Sequence, residues 1–146
     1  MKNRWLGFSS SLTVGALLLL SACPIQPNVS VDVALSVSGV GNITGTPSVQ
    51  FGSYAAEIGA GGWTFVSGET STGDYAVTVA AGAYEVVVSV NCANQPTTIG
   101  CSIGASSGGI TTGEAPVVTG GSGAWVVMFP GVVVPTGGGA IYVNID

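Results

Sequence analysis

The sequence predicts an all-β fold, a small antiparallel β-sandwich of roughly seven to nine strands behind an N-terminal signal peptide. Three observations predict it. Apolar residues recur with a period of two along most of the chain, no stretch of ten residues beyond the N-terminal segment carries a helical stripe, and Gly, Ser, Thr and Pro divide the chain into short runs. With 146 residues, 47% of them apolar and 24 of them glycine, there is room for one such domain.

The chain opens with Lys2 and Arg4, followed by an apolar stretch from Trp5 to Leu20 interrupted by Ser9, Ser10 and Ser11. A charged start, an apolar middle and a small-residue end describe a secretory signal peptide. The apolar stretch falls short of the about 20 residues a spanning helix needs, and no basic stop-transfer flank follows it. It ends in Leu20-Ser21-Ala22-Cys23, which resembles the lipobox of bacterial lipoproteins. That resemblance implies that residues 1–22 are removed and that Cys23 becomes the first residue of the mature chain, bearing palmitate-type acyl chains. Of the 146 residues, 124 then remain. Each buried methylene contributes about 0.8 kcal/mol, so two or three chains fix a protein to a membrane without any helix. The resemblance places the protein in the cell envelope, and Pro24 in place of an aspartate after the cysteine favours the outer membrane where the cell has one. Residues 23–30 form the acylated cysteine and a short tether, and residues 31–146 the domain. The seven residues Pro24 to Ser30 reach about 25 Å at most when extended, which keeps the domain close to the bilayer.

Loss of the signal peptide removes Lys2 and Arg4, and the sequence has no histidine, so the mature chain has no basic side chain. All seven acids remain: Asp32, Glu57, Glu69, Asp74, Glu85, Glu114 and Asp146. Phosphate backbones are bound by Lys and Arg that displace counterions, so nucleic acid is excluded as a partner. A Ser-His-Asp triad, an imidazole base and histidine metal ligands are excluded as well. The glycine-rich stretches at 59–62, 120–123 and 137–139 lack a P-loop lysine and read as turns. No cofactor and no metal site is expected.

Strands follow from the alternation. Val31, Val33, Leu35 and Val37 point one way while Asp32, Ala34, Ser36 and Ser38 point the other. Further strands are expected at 48–52, 63–67, 75–80, 84–92, 98–103, 124–129 and 141–145, with weaker ones at 116–119 and 132–134. The segment Gly73 to Val88 resembles the strand, tight turn and strand of carboxypeptidase-regulatory-like, or prealbumin-like, sandwich modules, which usually support or bind. Gly82 is expected to supply the turn, with Tyr75, Val77 and Val79 facing Tyr84, Val86 and Val88 across a core.

Cys92 and Cys101 are the remaining thiols of the acylated chain. On the expected strands Cys92 shares a face with Val88 and Val90, and Cys101 shares one with Ile99 and Ile103, so both sulfurs point inward. A disulfide is expected, with a stabilisation of roughly 2.5 to 3 kcal/mol from loop closure. A redox or metal role is disfavoured because the spacing is not Cys-x-x-Cys.

Trp63, beside Gly61 and Gly62, and Tyr54, after Gly52 and Ser53, lie next to expected loops and are the candidate ligand-binding residues, able to stack on sugar rings. Trp125 opens an apolar run and is assigned to the core. The acids are scattered singly, without the pairing that glycoside hydrolysis requires, and no catalytic residue is assigned. Glu69 and Asp74 around 70–73 read as a turn sooner than as a calcium loop. The expected function is that of a membrane-anchored envelope lipoprotein with a non-catalytic structural, adhesive or assembly role, its partners the membrane and envelope proteins or polysaccharide. The alternatives are a carbohydrate-binding module and, third, a carboxylate-based hydrolase.

Overall fold

Alternating valines make strands with one apolar face, and a strand of that kind is stable only when the face is covered by another sheet. The computed structural model describes residues 25–65 and 70–146, and it satisfies that requirement with two five-stranded sheets packed face to face. Ten strands are assigned: β1 Asn28–Val37, β2 Ile43–Phe51, β3 Tyr54–Ala55, β4 Glu57–Thr64, β5 Ser71–Ala80, β6 Gly82–Cys92, β7 Ser102–Ser107, β8 Val117–Gly121, β9 Ala124–Val134 and β10 Gly139–Ile145. One sheet has the order β4-β5-β1-β10-β7 and the other β3-β2-β6-β9-β8. No helix occurs among the described residues. The fold is the all-β sandwich expected from the alternation.

The core is the seam between the sheets. From β1 it takes Val31, Val33, Leu35 and Val37, from β5 Tyr75, Val77 and Val79, and from β10 Ile141, Val143 and Ile145. The second sheet answers with Val49 and Phe51 of β2, Val86, Val88 and Val90 of β6, and Val127, Phe129, Val132 and Val134 of β9. Valine dominates because its β-branch suits an extended backbone and its small volume lets the two faces interlock. Tyr75 brings a polar atom into this seam. Its hydroxyl donates a 2.7 Å hydrogen bond to the Pro47 carbonyl of the opposite sheet.

Several expectations are corrected. The sandwich contains one parallel pair, β1 with β10, from Val31 beside Gly139 to Val37 beside Ile145. The strand at 28–37 takes in Asn28, Val29 and Ser30, which the sequence had suggested were tether, because Val29 pairs with Val79 and is buried. The Gly73 to Val88 segment is no hairpin: β5 lies in one sheet and β6 in the other, joined through Ala81 alone. The chain crosses the core there, so the expected facing of Tyr75, Val77 and Val79 with Val86 and Val88 is preserved without direct pairing. Gly82 does not adopt a positive φ. The corner is held instead by the Ala81 amide donating to the Pro27 carbonyl at 3.2 Å and by the Tyr84 hydroxyl donating to the Ala80 carbonyl at 2.7 Å. The strand expected at 98–103 begins only at Ser102, after a turn closed by the Cys101 amide and the Thr97 carbonyl. The expected strand at 63–67 falls partly outside the described residues.

Gly138 is among the glycines that close contact requires. Gly138, at φ 66°, packs so closely on the Ser30 carbonyl that a β-carbon has no space. It closes the turn into β10, where its amide donates to the Pro135 carbonyl at 3.0 Å.

Burial pushes the Tyr75 phenol up to about 12 from an ordinary value of 10.0. The neutral phenol is thus favoured in the folded state, and stability present below pH 10 is lost as the pH rises from about 10 to about 12. The loss is of the order of 2 to 3 kcal/mol. Denaturant titrations at increasing alkaline pH are expected to give this decline, and Tyr75→Phe to lack that increment. At neutral pH Tyr75→Phe is expected to cost about 1 to 2 kcal/mol because the buried Pro47 carbonyl loses its donor.

Candidate functional site

Strand directions define two poles. At one lie the start of β1, the β5–β6 corner, the end of β9 and the start of β10. At the other lie the end of β1, the start of β2, the end of β6 and Asp146 after β10. Cys23 lies outside the described residues, as does Glu69.

Cys92 and Cys101 are both buried and remain separate thiols, so the expected disulfide is corrected. The phasing that aimed both sulfurs at one point required a strand through residue 99. Ile99 instead sits on the turn and is 97% exposed, and Cys101 enters from that turn. Each thiol turns toward a carbonyl, Cys92 Sγ to that of Asn94 at 3.2 Å and Cys101 Sγ to that of Asp146 at 3.8 Å. Burial raises both thiols above their ordinary value; the Cys101 thiol raises Cys92 further, whereas at Cys101 the hydrogen bond to the Asp146 backbone offsets part of the rise and the Asp146 charge adds to it. A raised thiol in the core is a poor nucleophile and a poor metal ligand.

The candidate stacking residues do not come together. Tyr54 lies on β3, the edge of one sheet, 45% exposed and edge-on to Tyr84 at 6.2 Å between ring centroids. Trp63 lies on β4, the edge of the other sheet. It is half-buried, stacked edge-on with Phe65 at 5.8 Å, and it packs so tightly on Gly73 that no β-carbon fits there. Trp63 is therefore mainly a packing residue that covers the start of β5, and Trp125 likewise packs against the core. Their indole nitrogens are buried without a hydrogen-bond partner among the described residues.

The acids are less scattered in space than in sequence. Asp32 and Asp74 occupy diagonal positions on β1 and β5, because Asp32 pairs with Ala76 and Asp74 with Ala34. Both carboxylates are exposed and border an open cleft of about 470 Å³ on the outer face of the first sheet. Ala34, Ala76 and Ala140 floor it, and Gly59 and Gly61 of β4 leave room for the Asp74 side chain. Sequence reasoning missed the pair because it depends on the β1–β5 register, which no short-range signal encodes. Both carboxylates lie open to solvent, without the apolar enclosure in which a carboxylic acid serves as the proton donor of hydrolysis. A second, polar cleft of about 400 Å³ at the Asp146 pole is lined by Asn42, Thr44, Asn91 and Ser122. No group of three or more Cys, Asp or Glu placed to hold a metal occurs among the described residues.

The third feature is the pair of sheet edges. β7 and β8 are outer strands, and neither Ser102–Ser107 nor Val117–Gly121 contains a charged residue or a proline. Edge β4 carries Glu57, and edge β3 has only two residues. Comparison with protein-family models, with curated proteins and with solved structures found no match.

The buried thiols give a direct test. In the folded, unreduced protein both are expected to react slowly with a thiol reagent, and unfolding is expected to release two equivalents for Cys92 and Cys101. Absence of reactive thiol after unfolding without reductant contradicts the separate-thiol arrangement.

Proposed function

We propose that this protein is an envelope lipoprotein, acylated at Cys23, whose sandwich has a non-catalytic structural, adhesive or assembly role. The observation that carries the role is the pair of uncharged outer strands, β7 and β8. Edge strands expose backbone N–H and C=O groups, and soluble proteins protect them with lysine, proline or brevity. Neither strand has such protection, which suits strand addition from another envelope protein. Membrane attachment rests on Leu20-Ser21-Ala22-Cys23 at the end of a charged, then apolar segment. An anchor also accounts for a surface so poor in charge, since a protein fixed to a membrane has less need of the colloidal repulsion that keeps a diffusing one soluble. Outer-membrane placement rests on Pro24 alone. The reading assigns no catalytic group, because Asp32 and Asp74 are exposed.

A carbohydrate-binding role is the second reading, favoured by the exposure of Tyr54. Loss of polysaccharide retention in Tyr54→Ala distinguishes it.

Cys23→Ser is expected to move the protein from the detergent phase to the aqueous phase in phase partition. In the anchored protein, Val117→Lys with Thr119→Lys on β8 is expected to leave folding intact and to reduce crosslinked envelope assemblies at least tenfold. Unchanged assembly in that variant, or hydrolysis of an envelope polymer by the purified protein, contradicts the proposed role.

A further inference from the structure

We infer that the anchored domain stands on one pole, with the β5–β6 corner against the bilayer and the Asp146 pole directed away. The inference rests on the lipid-anchor reading and adds the surface that meets the lipid.

The geometry begins at Pro27. Its carbonyl accepts the Ala81 amide, and Asn28 pairs with Ala80, so the chain is fastened to the β5–β6 corner before β1 is fully under way. Only four residue steps separate Cys23 from Pro27, a reach of about 14 Å at full extension. The ten-residue β1 is about 33 Å long, more than twice that reach. The far pole therefore cannot turn to the membrane while Cys23 is held in it. Two orientations satisfy the tether: standing on the near pole, or lying on the outer face of the sheet that contains β1.

Charge and polarity decide between them. The outer face carries the exposed carboxylates Asp32 and Asp74, which an anionic bilayer repels and which have no basic neighbour to offset them. The near pole is built from 25–27, the turn at 52–54, the corner at 80–83 and the turn at 133–139, and none of these segments contains a charged residue. Exposed Ile25, Tyr54 and Val133 lie in them. Tyrosine with its hydroxyl outward suits the interface between headgroups and acyl chains. Of the acids nearest this end, Glu114 is set back beside Gly131, Glu57 pairs with Ala76 four residues short of the corner, and Glu85, whose carbonyl accepts the Gly52 amide, lies at the rim of the base. An anchored lipid, a short strap and an uncharged, partly apolar base thus coincide at one end. At the opposite end the polar cleft of Asn42, Thr44, Asn91 and Ser122, with exposed Ile99, faces outward.

The test uses the acylated protein purified from its host, with intact mass establishing the acyl chains, reconstituted in nanodiscs of phosphatidylethanolamine and phosphatidylglycerol. Amide NMR signals are recorded with and without a nitroxide on the lipid headgroups. Broadening is expected to be several-fold stronger at Gly52, Tyr54, Ala81 and Gly137 than at Asn94, Ile99 and Gly123. Insertion of a long Gly/Ser segment between Gln26 and Pro27 is expected to abolish the difference. Acylated protein with equal broadening at both poles, or with the strongest broadening at Asp32 and Asp74, overturns the standing orientation and leaves the anchor intact. An unmodified Cys23 overturns the anchor reading and this inference with it.

Discussion

The rest of the structure depends on the parallel pairing of β1 with β10. It joins the strand nearest the N-terminal segment to the strand nearest Asp146 and places both in the middle of one sheet, with β5 on one side and β7 on the other. A parallel pair needs a long connection, and here nearly the whole domain is that connection. Loop closure over such a distance is costly in chain entropy, so the pair is worth forming only when its apolar face is covered at once. Val31, Val33, Leu35 and Val37 beside Ile141, Val143 and Ile145 provide that face, and the β6 and β9 valines cover it.

The same pairing organises the functional reading. Because β1 and β10 run in the same direction, the start of one and the end of the other lie at opposite poles, and Asn28 is separated from Asp146 by the length of the sandwich. The β5–β6 corner bonds Pro27 at the pole where β1 begins, and the outer strands β7 and β8 remain open along the sides. With no basic side chain beyond Arg4, the domain has no ion pairs to make between side chains. Apolar burial, backbone ladders and the hydrogen bonds of the Tyr75 and Tyr84 hydroxyls hold it together.

Much of this was legible in the sequence where the signal was local. Strict alternation from Val31 to Val37 and from Tyr75 to Val79 marked strands and their buried faces correctly, since side-chain direction in a strand follows from position alone. Pairing was not legible. The hairpin expected at Gly82 is a crossing between sheets because Ala81 alone cannot return β6 alongside β5 once β1 and β4 occupy both of its edges. The disulfide inference failed by the same route: it extended a strand through Ile99, where the Thr97–Cys101 turn intervenes and rotates the thiol toward Asp146. Of the candidate binding residues, Tyr54 is exposed as expected. Trp63 is drawn inward by the space above Gly73, a contact between strands that its own neighbours Gly61 and Gly62 did not signal.

Native-state hydrogen exchange on the domain tests the central claim most directly, because it ranks strands by the free energy needed to open them. The amides shared by β1 and β10 are expected to exchange together, at the slowest rate in the protein and only through global unfolding. Early exchange of β10 while β1 and β5 stay protected would contradict the account, because the sheet would then hold without the pairing that closes it.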